Sequence, residues 1–174
     1  MDDLRPYRDA LGADYVLTGK DTERWSSDWQ GIYTWTPLAV LCPLSTAEVS
    51  SAVKIANEKG HKIVPVSGMT GLAGGAFADG AIMISLDRMN KIEQIRPEAR
   101  IAIVEAGAIL SNIHDATDKY DLVFPLTFGA KGSACIGGNL STNAGGSNVV
   151  RYGNTRDLCL GVEVVMPNGD IMNL

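Results

Sequence analysis

Apolar residues recur along the chain with two different periods, and the change of period predicts an alternation of strands and helices. Residues 38–42 form a short apolar run typical of a buried strand. Ser45 and Glu48 form a capping-box pair at the start of a helix, whose apolar residues follow at helical spacing until Gly60. Residues 62–66 and 81–86 predict two more strands. The strand–helix–strand order implies parallel strands and an α/β lobe.

The segments before this lobe have weaker patterns. Residues 3–12 predict a short helix with one apolar side. That side holds Leu4, Tyr7, Ala10 and Leu11. Residues 13–36 are polar and aromatic and contain all three tryptophans, so we expect irregular chain that wraps a core.

The second half of the chain predicts a different arrangement. Residues 91–95 and 101–105 are two short strands in a hairpin, and residues 110–120 predict a helix with Ile113 and Ala116 facing inward. Residues 160–166 predict a strand, followed by a tight turn and a return strand that starts at residue 171. A return strand with almost no partner is an unusual end for a domain, so we expect a fragment of a longer protein.

Composition and charge exclude several classes of protein. The 174 residues suffice for one ordinary domain or two small lobes. The net charge of -5 leaves no basic footprint for nucleic acid. No apolar run approaches the roughly 18 residues of a membrane span. Three scattered cysteines favour neither a disulfide framework nor a thiolate metal site, and they predict a reducing, cytoplasmic location.

Glycine is concentrated in two places. Of 19 glycines, five lie at residues 68–80 and six at residues 129–146. The first cluster follows a predicted strand, and Asp79 is the only charged residue between positions 63 and 86. Consecutive backbone N–H groups in such a loop can bind a phosphate without a lysine. The spacing matches neither a P-loop nor the nicotinamide fingerprint, and a tight strand crossing remains the alternative.

The second cluster lies in residues 124–146, where Lys131 is the only charged residue. Two glycine pairs flank a run of amide and hydroxyl side chains at residues 139–143. This chemistry suits a ligand with a pyrophosphate, a polyol and a flat hydrogen-bonding ring, and the alternative is a glycine-rich surface loop. Two such windows in one chain favour a dinucleotide-like ligand.

Candidates for catalysis and for metal binding are weak. His61 and His114 have no second histidine at metal spacing, and we expect them at surface or capping positions away from both glycine loops. No arrangement of nucleophile and base is supported. We therefore name no catalytic residue and no metal ligand.

Both loops resemble a known family. Residues 65–76 resemble the P-x-G-G-x-T-G-x-x-G-G pyrophosphate loop of FAD-linked oxidases of the vanillyl-alcohol-oxidase type, and residues 124–146 with 160–169 resemble that family's second flavin segment. Residues 125–133 are especially similar to the D-2-hydroxyglutarate dehydrogenase branch, close to FAD-dependent D-lactate dehydrogenases. The chain departs from the family pattern at four positions. These are Val66, Ser67 and Met69 in the first loop and Thr127, which replaces an aspartate, in the second.

The resemblance implies an α+β fold, a PCMH-type FAD-binding domain of two α/β subdomains that is truncated in the second. Residues 1–88 would form the small lobe with the pyrophosphate loop, and residues 89–174 would begin the larger lobe. The implied cofactor-binding residues of the first loop are Pro65, Val66, Ser67, Gly68, Met69, Thr70, Gly71 and Leu72. Those of the second are Pro125, Leu126, Thr127, Gly132, Ser133, Gly137, Gly138, Asn139, Ser141, Thr142 and Asn143. One FAD would contact both loops, so we expect them to converge on one cleft.

The implied activity is the FAD-dependent oxidation of a D-2-hydroxy acid to the 2-oxo acid. Relatives that tether FAD from the first loop use a histidine, and the nearest matching position here is Thr70, so the FAD would be held non-covalently. A carrier protein or quinone would accept the electrons, a metal ion would bind only beyond this segment, and a homodimer is left open. The alternatives are a non-catalytic flavin-binding subunit and another flavoenzyme of the same fold, such as a reductase of cell-wall sugar nucleotides.

Overall fold

The structure is a computed structural model that describes residues 3–174. Its helices and strands, in chain order, are α1 (Arg5–Leu11), β1 (Val16–Leu17), β2 (Ala39–Leu41), α2 (Thr46–Lys59), β3 (Ile63–Val66), β4 (Ile82–Ser85), β5 (Ile92–Arg96), β6 (Ile101–Val104), α3 (Leu110–Asp118), α4 (Ile136–Thr142), α5 (Val149–Tyr152), β7 (Glu163–Val165) and β8 (Ile171–Asn173). Four 3-10 helices lie between them, at Ala13–Tyr15, Gly19–Trp25, Pro97–Ala99 and Thr155–Leu158. Helices and strands are mixed, which confirms the α+β class.

The described chain forms two compact units. Residues 3–88 with 161–174 make the first unit, and residues 89–160 make the second. The predicted lobe boundary placed residues 161–174 in the same lobe as residues 89–160, whereas in the structure they pack against α2 of the first unit. Ser50 Oγ donates to the Gly169 carbonyl oxygen at 2.5 Å, and Asn57 Nδ2 donates to the Pro167 carbonyl oxygen at 2.7 Å.

The sheet of the first unit has the strand order β1-β2-β4-β3. Strands β2, β4 and β3 are parallel, and β1 joins the edge in antiparallel orientation. The predicted parallel strand–helix–strand unit is confirmed, with β4 inserted between β2 and β3. The two-residue strand β1 was not predicted, since residues 13–36 carry no alternating pattern.

Alternate residues of the central strands pack on opposite faces of this sheet, as the period of two requires. One core cluster contains Leu41, Ile82 and Ile84 with residues of α1 and α2. The other contains Val40 and Met83 with two tryptophans of the irregular segment. Both faces are therefore covered, which explains why these strands are continuously apolar.

Helix α2 begins and ends where its sequence predicts. The Ser45 hydroxyl accepts from the Glu48 backbone N–H at 3.2 Å, and Gly60 ends the helix in a left-handed conformation with φ of 70°. The Glu48 carboxylate accepts from the Leu44 N–H at 2.7 Å, one residue earlier than a capping box requires. The serine half of the capping box is thus present, and the glutamate half bonds the N–H of the preceding residue instead of that of Ser45.

Helix α1 is anchored to the end of α2 by a buried tyrosine. Tyr7 is fully buried, and its hydroxyl lies 2.9 Å from His61 Nδ1, whose Nε2 lies 2.8 Å from Asp3 Oδ2. Burial, together with the charge of Asp3, raises the pKa of Tyr7 to about 12. Ala10 was predicted on the apolar side, but it is exposed because Tyr7 and Leu11 already fill the contact with the core.

The irregular segment covers the core only in part. Trp25 and Trp35 are buried, as a wrapping segment predicts, whereas Trp29 is 61% exposed. Trp29 therefore does not belong to the core. Among the described residues no helix is long and apolar enough to cross a membrane.

In the second unit, β5 and β6 form the predicted antiparallel hairpin. Helix α3 ends at Asp118, two residues before the predicted end, and buries Ile113 and Thr117. Ala116 is only half-buried. The sequence did not predict α4 or α5, which both lie in or near the second glycine cluster.

Candidate functional site

The first glycine loop follows the carboxyl end of the parallel strand β3, the edge where open α/β sheets bind ligands. Residues 67–70 are half-buried and residues 71–73 are exposed. Met69 has a left-handed backbone with φ of 52° and packs against the core cluster that contains Val66. Glycine or asparagine, the usual residues at this position in the resembled family, adopt this conformation more easily. The loop therefore keeps its geometry despite the departure in sequence.

The glycines at the centre of this loop face open space. A Cβ on Gly71 or Gly75 would have no heavy atom within 4 Å. Gly71 does not have a positive φ; that conformation is found at Met69 and Gly74. The absence of a side chain at Gly71 serves access to the backbone rather than a turn. A phosphate can approach this backbone closely.

A cavity of about 280 Å³ adjoins the loop. Its lining comprises Arg24, Ser27, Asp28, Trp29, Gly68 and Met69. Asp28 is 7% exposed; its Oδ1 accepts from the Tyr33 N–H at 3.0 Å, while its buried Oδ2 has no hydrogen bond within residues 3–174. The sequence did not predict Asp28 as a residue of a candidate site. An acidic residue in a segment predicted to wrap a core could have indicated one, because a buried carboxylate needs a partner.

Arg24, which lines this cavity, forms an ion pair. Arg24 Nη1 lies 2.9 Å from Asp87 Oδ2. Arg88 donates to the Cys42 carbonyl oxygen at 2.8 Å and lies over the Tyr15 ring at 3.4 Å. Burial raises the pKa of the Cys42 thiol, the direction that disfavours the reactive thiolate.

The second glycine loop contains a short helix rather than irregular chain throughout. Helix α4 starts beside residues 106–108, and the Gly137 N–H donates to the Ala106 carbonyl oxygen at 2.8 Å. A Cβ on Gly137 would lie 2.8 Å from the Ala106 Cβ. Gly137 thus allows the helix to pack against the neighbouring backbone. Its low helix propensity hid α4 from the sequence, because packing rather than propensity stabilises this helix.

Asn139 is the residue of the second loop whose buried polar side chain lacks a partner among the described residues. Its side chain is 5% exposed, and its Nδ2 has no hydrogen-bond acceptor among the described residues. A buried amide without a partner costs about 1–3 kcal/mol. A ligand acceptor atom at this position removes that cost.

The rest of the polar run presents mainly acceptors. The hydroxyls of Ser141 and Thr142 donate to the Gly138 carbonyl oxygen at 3.0 and 2.9 Å, so their oxygens remain free to accept. Asn143 is left-handed with φ of 51°, and its Oδ1 accepts from the Arg156 N–H at 3.1 Å. The run thus combines one buried donor with exposed acceptors.

The start of the second loop is fixed through its backbone. The Ser147 N–H donates to the Thr127 carbonyl oxygen, and Asn148 Nδ2 donates to that of Pro125, both at 3.0 Å. Leu126 is 3% exposed. His114 Nε2 lies 2.9 Å from the Leu126 carbonyl oxygen, so the expectation that both histidines lie away from the loops is wrong for His114.

The exposed turn of this loop contains Gly132 and Ser133, and a Cβ on Gly132 would meet no heavy atom within 4 Å. Exposed backbone, hydroxyl acceptors and the buried donor of Asn139 match what a dinucleotide with a polyol and a flat ring requires. Residues 3–174 contain no cluster of three or more histidine, cysteine, aspartate or glutamate residues for a metal ion.

Comparison with known proteins agrees with this chemistry. The sequence model of a family described as "FAD binding domain" matches residues 37–174. The D-2-hydroxyglutarate dehydrogenase of Xanthomonas citri pv. viticola is 43% identical over 155 residues, which cover 88% of this chain and 33% of that enzyme. The D-lactate dehydrogenase of Anaerostipes hadrus is 38% identical over 162 residues, 91% of this chain and 34% of that enzyme.

The solved structure of 6-hydroxy-D-nicotine oxidase from Arthrobacter nicotinovorans superposes with a TM-score of 0.81 at 26% identity, over 91% of this chain and 35% of that one. The chain thus spans about a third of the length of the curated relatives that it matches.

Proposed function

The chain belongs to the FAD binding domain family, and on that premise we propose that it holds the cofactor of a flavin-dependent dehydrogenase that oxidises a D-2-hydroxy acid to the 2-oxo acid. The observation that carries the proposal is Asn139, a buried amide donor without a partner among the described residues. It lies in a loop whose sequence resembles the D-2-hydroxyglutarate dehydrogenase branch. The names of the two related enzymes supply the substrate class, a hydroxy acid such as D-2-hydroxyglutarate or D-lactate.

The first loop would bind the pyrophosphate of FAD. Its contacts would come from Pro65, Val66, Ser67, Gly68, Met69, Thr70, Gly71 and Leu72. The loop carries no charge, so its backbone N–H groups would donate to the phosphate oxygens without the desolvation cost of a buried lysine. The open space at Gly71 supports this role.

The second loop would line the remainder of the cofactor. Its contacts would come from Pro125, Leu126, Thr127, Gly132, Ser133, Gly137, Gly138, Asn139, Ser141, Thr142 and Asn143. Leu126 would contribute only its backbone, because its side chain is buried. Asn139 would donate to an acceptor atom of the cofactor, and the hydroxyls of Ser141 and Thr142 would accept. Convergence of the two loops on one cleft stays a prediction.

Oxidation of a 2-hydroxy acid removes a hydride from Cα and a proton from the hydroxyl, two electrons and two protons in total. FAD supplies the group that accepts the hydride. In this proposal the base for the hydroxyl proton lies outside residues 3–174, since the ring nitrogens of His61 are engaged with Tyr7 and Asp3, and His114 bonds the Leu126 carbonyl. The groups that bind the substrate carboxylate, and any metal ion, are placed outside these residues as well.

The electrons would pass to a carrier protein or a quinone. A cytoplasmic location and a homodimer stay predictions, supported so far only by cysteine content and by the family resemblance. Stopped-flow reoxidation of the reduced holoprotein by a soluble quinone and by candidate carrier proteins would identify the acceptor class.

The test of the proposed function uses the full-length protein with FAD bound. Bleaching of the flavin absorbance by D-2-hydroxyglutarate, D-lactate or D-malate, and not by the L enantiomers, is the expected result. A protein that binds FAD but is reduced by none of these acids would be a flavin-binding subunit or another flavoenzyme of this fold. A protein that binds no FAD would contradict the proposal at its first step.

A further inference from the structure

Arg156 binds the end of helix α4 through three hydrogen bonds. Its Nε donates to the Leu140 carbonyl oxygen at 3.0 Å, and its Nη2 donates to the Ser141 carbonyl oxygen at 2.7 Å. Its backbone N–H donates to Asn143 Oδ1 at 3.1 Å. The one residue thus contacts both the last turn of α4 and the left-handed residue that ends it.

The turn that carries Arg156 is itself fixed to the same segment. Thr155 is 2% exposed, and both its N–H and its hydroxyl donate to the Ala144 carbonyl oxygen, at 3.0 and 2.7 Å. The Asn154 N–H donates to Asp157 Oδ2 at 2.7 Å. Arg156 therefore presents its guanidinium from a constrained backbone, so less conformational entropy is lost when the bonds to α4 form.

Helix α4 depends on such support. It has seven residues, fewer than an isolated helix needs to persist in water, and only the capping N–H groups of Asn143 and Ala144 bond its last carbonyl groups through the backbone, among the described residues. A cation at a helix C-terminus is favourable, and only the planar fork of arginine can donate to two carbonyl groups at once with fixed geometry. Lysine would keep the charge and lose the fork.

We propose that Arg156 is a positioning residue for FAD: it holds the last turn of α4 so that the polar run at residues 139–143 is preorganised for the cofactor. Arg156 itself would not contact FAD. Asn139 directly precedes Leu140, one of the two residues whose carbonyl groups Arg156 binds, so loss of the fork loosens the turn that carries the buried amide. This inference rests on the proposed function.

The test compares Arg156→Gln with the wild type and with Arg96→Gln in the full-length apoprotein. Arg96→Gln makes the same change of charge in the same unit, on β5, where the Arg96 side chain bonds Gln94 two residues away. FAD affinity is measured by quenching of flavin fluorescence, and the environment of the ring by visible circular dichroism at saturating FAD. We expect Arg156→Gln to weaken FAD binding about tenfold, equivalent to about 1.4 kcal/mol, and to change the flavin dichroism. Arg96→Gln should change neither.

Arg156→Lys should fall between wild type and Arg156→Gln in affinity, since one donor and the charge remain. If Arg156→Gln does not fold, the comparison of Arg156→Lys with Arg96→Gln decides the question. Wild-type affinity and dichroism in the Arg156 variants would overturn the positioning role while leaving the proposed function intact. A wild-type protein that binds no FAD would overturn both.

Discussion

Replacing Gly137 by alanine tests whether α4 is held by close packing rather than by its own helix propensity. The new Cβ would lie 2.8 Å from the Ala106 Cβ and 2.9 Å from the Ala106 carbonyl oxygen. Neither atom can move away easily, because that carbonyl accepts the Gly137 N–H and the adjacent Ala108 carbonyl accepts the Ile136 N–H at 3.0 Å. The substitution therefore forces two hydrogen-bonded backbones apart.

The expected magnitude is the difference between two opposing effects. Overpacking a tight contact costs about 1–3 kcal/mol. Alanine in a helix is favoured over glycine by about 0.5–1 kcal/mol. We therefore expect Gly137→Ala to lower the free energy of unfolding by about 1–2 kcal/mol, and the melting temperature by about 2–4 °C for each kcal/mol in a domain of this size.

The assay is thermal unfolding of the apoprotein, so that cofactor binding does not contribute to stability. Gly132→Ala is the matched control: it lies in the same loop, but its Cβ would enter open space, so its stability should stay within about 0.5 kcal/mol of wild type. A Gly137→Ala protein as stable as Gly132→Ala, or more stable than wild type, would refute the packing argument.

Four further outcomes are expected. Gly71→Val should reduce FAD affinity in the full-length protein without lowering the melting temperature, because the valine side chain would fill open space beside the backbone proposed to bind phosphate. Unchanged flavin content would contradict the role of the loop. Asp3→Asn should destabilise the protein at pH 7, because Lys59 and His61 hold the pKa of Asp3 below its usual value. This contribution to the free energy of unfolding is present above the unfolded pKa near 3.8 and is lost as the pH falls through the folded pKa. Urea unfolding should therefore show the stabilities of the two proteins converging in acid. A difference in stability that persists in acid would be evidence against the ion pairs. Acid precipitation of the holoprotein should leave yellow flavin in the supernatant, whereas flavin in the pellet would indicate a covalent bond. Residues 1–174 supplied with FAD should not reduce a dye with D-2-hydroxyglutarate, D-lactate or D-malate, since the proposal places the base and the carboxylate-binding groups outside this segment. Turnover comparable to that of the full-length protein would mean that this segment contains them.

The local sequence was sufficient to predict an element wherever that element is stabilised by its own residues. The Ser45 cap and Gly60 fixed the ends of α2, because a cap depends on residues within one turn. Short apolar runs predicted β2, β3 and β4, because strands covered on both faces must be continuously apolar. The concentration of glycine, with almost no charge around it, predicted a dinucleotide-like ligand, and the resemblance of both loops to one family predicted FAD, in agreement with the family match.

The other features of the fold depend on contacts between residues that are distant in the sequence, and no local sequence pattern predicts such contacts. The insertion of β4 between β2 and β3 and the packing of residues 161–174 on α2 depend on surfaces far apart in sequence. Helix α4 has a glycine-rich sequence of low propensity and forms because Gly137 fits against Ala106. Asn139 in the same helix is buried without a partner among the described residues, so the residue that carries the proposal is polar in the sequence but unsatisfied only in the folded chain.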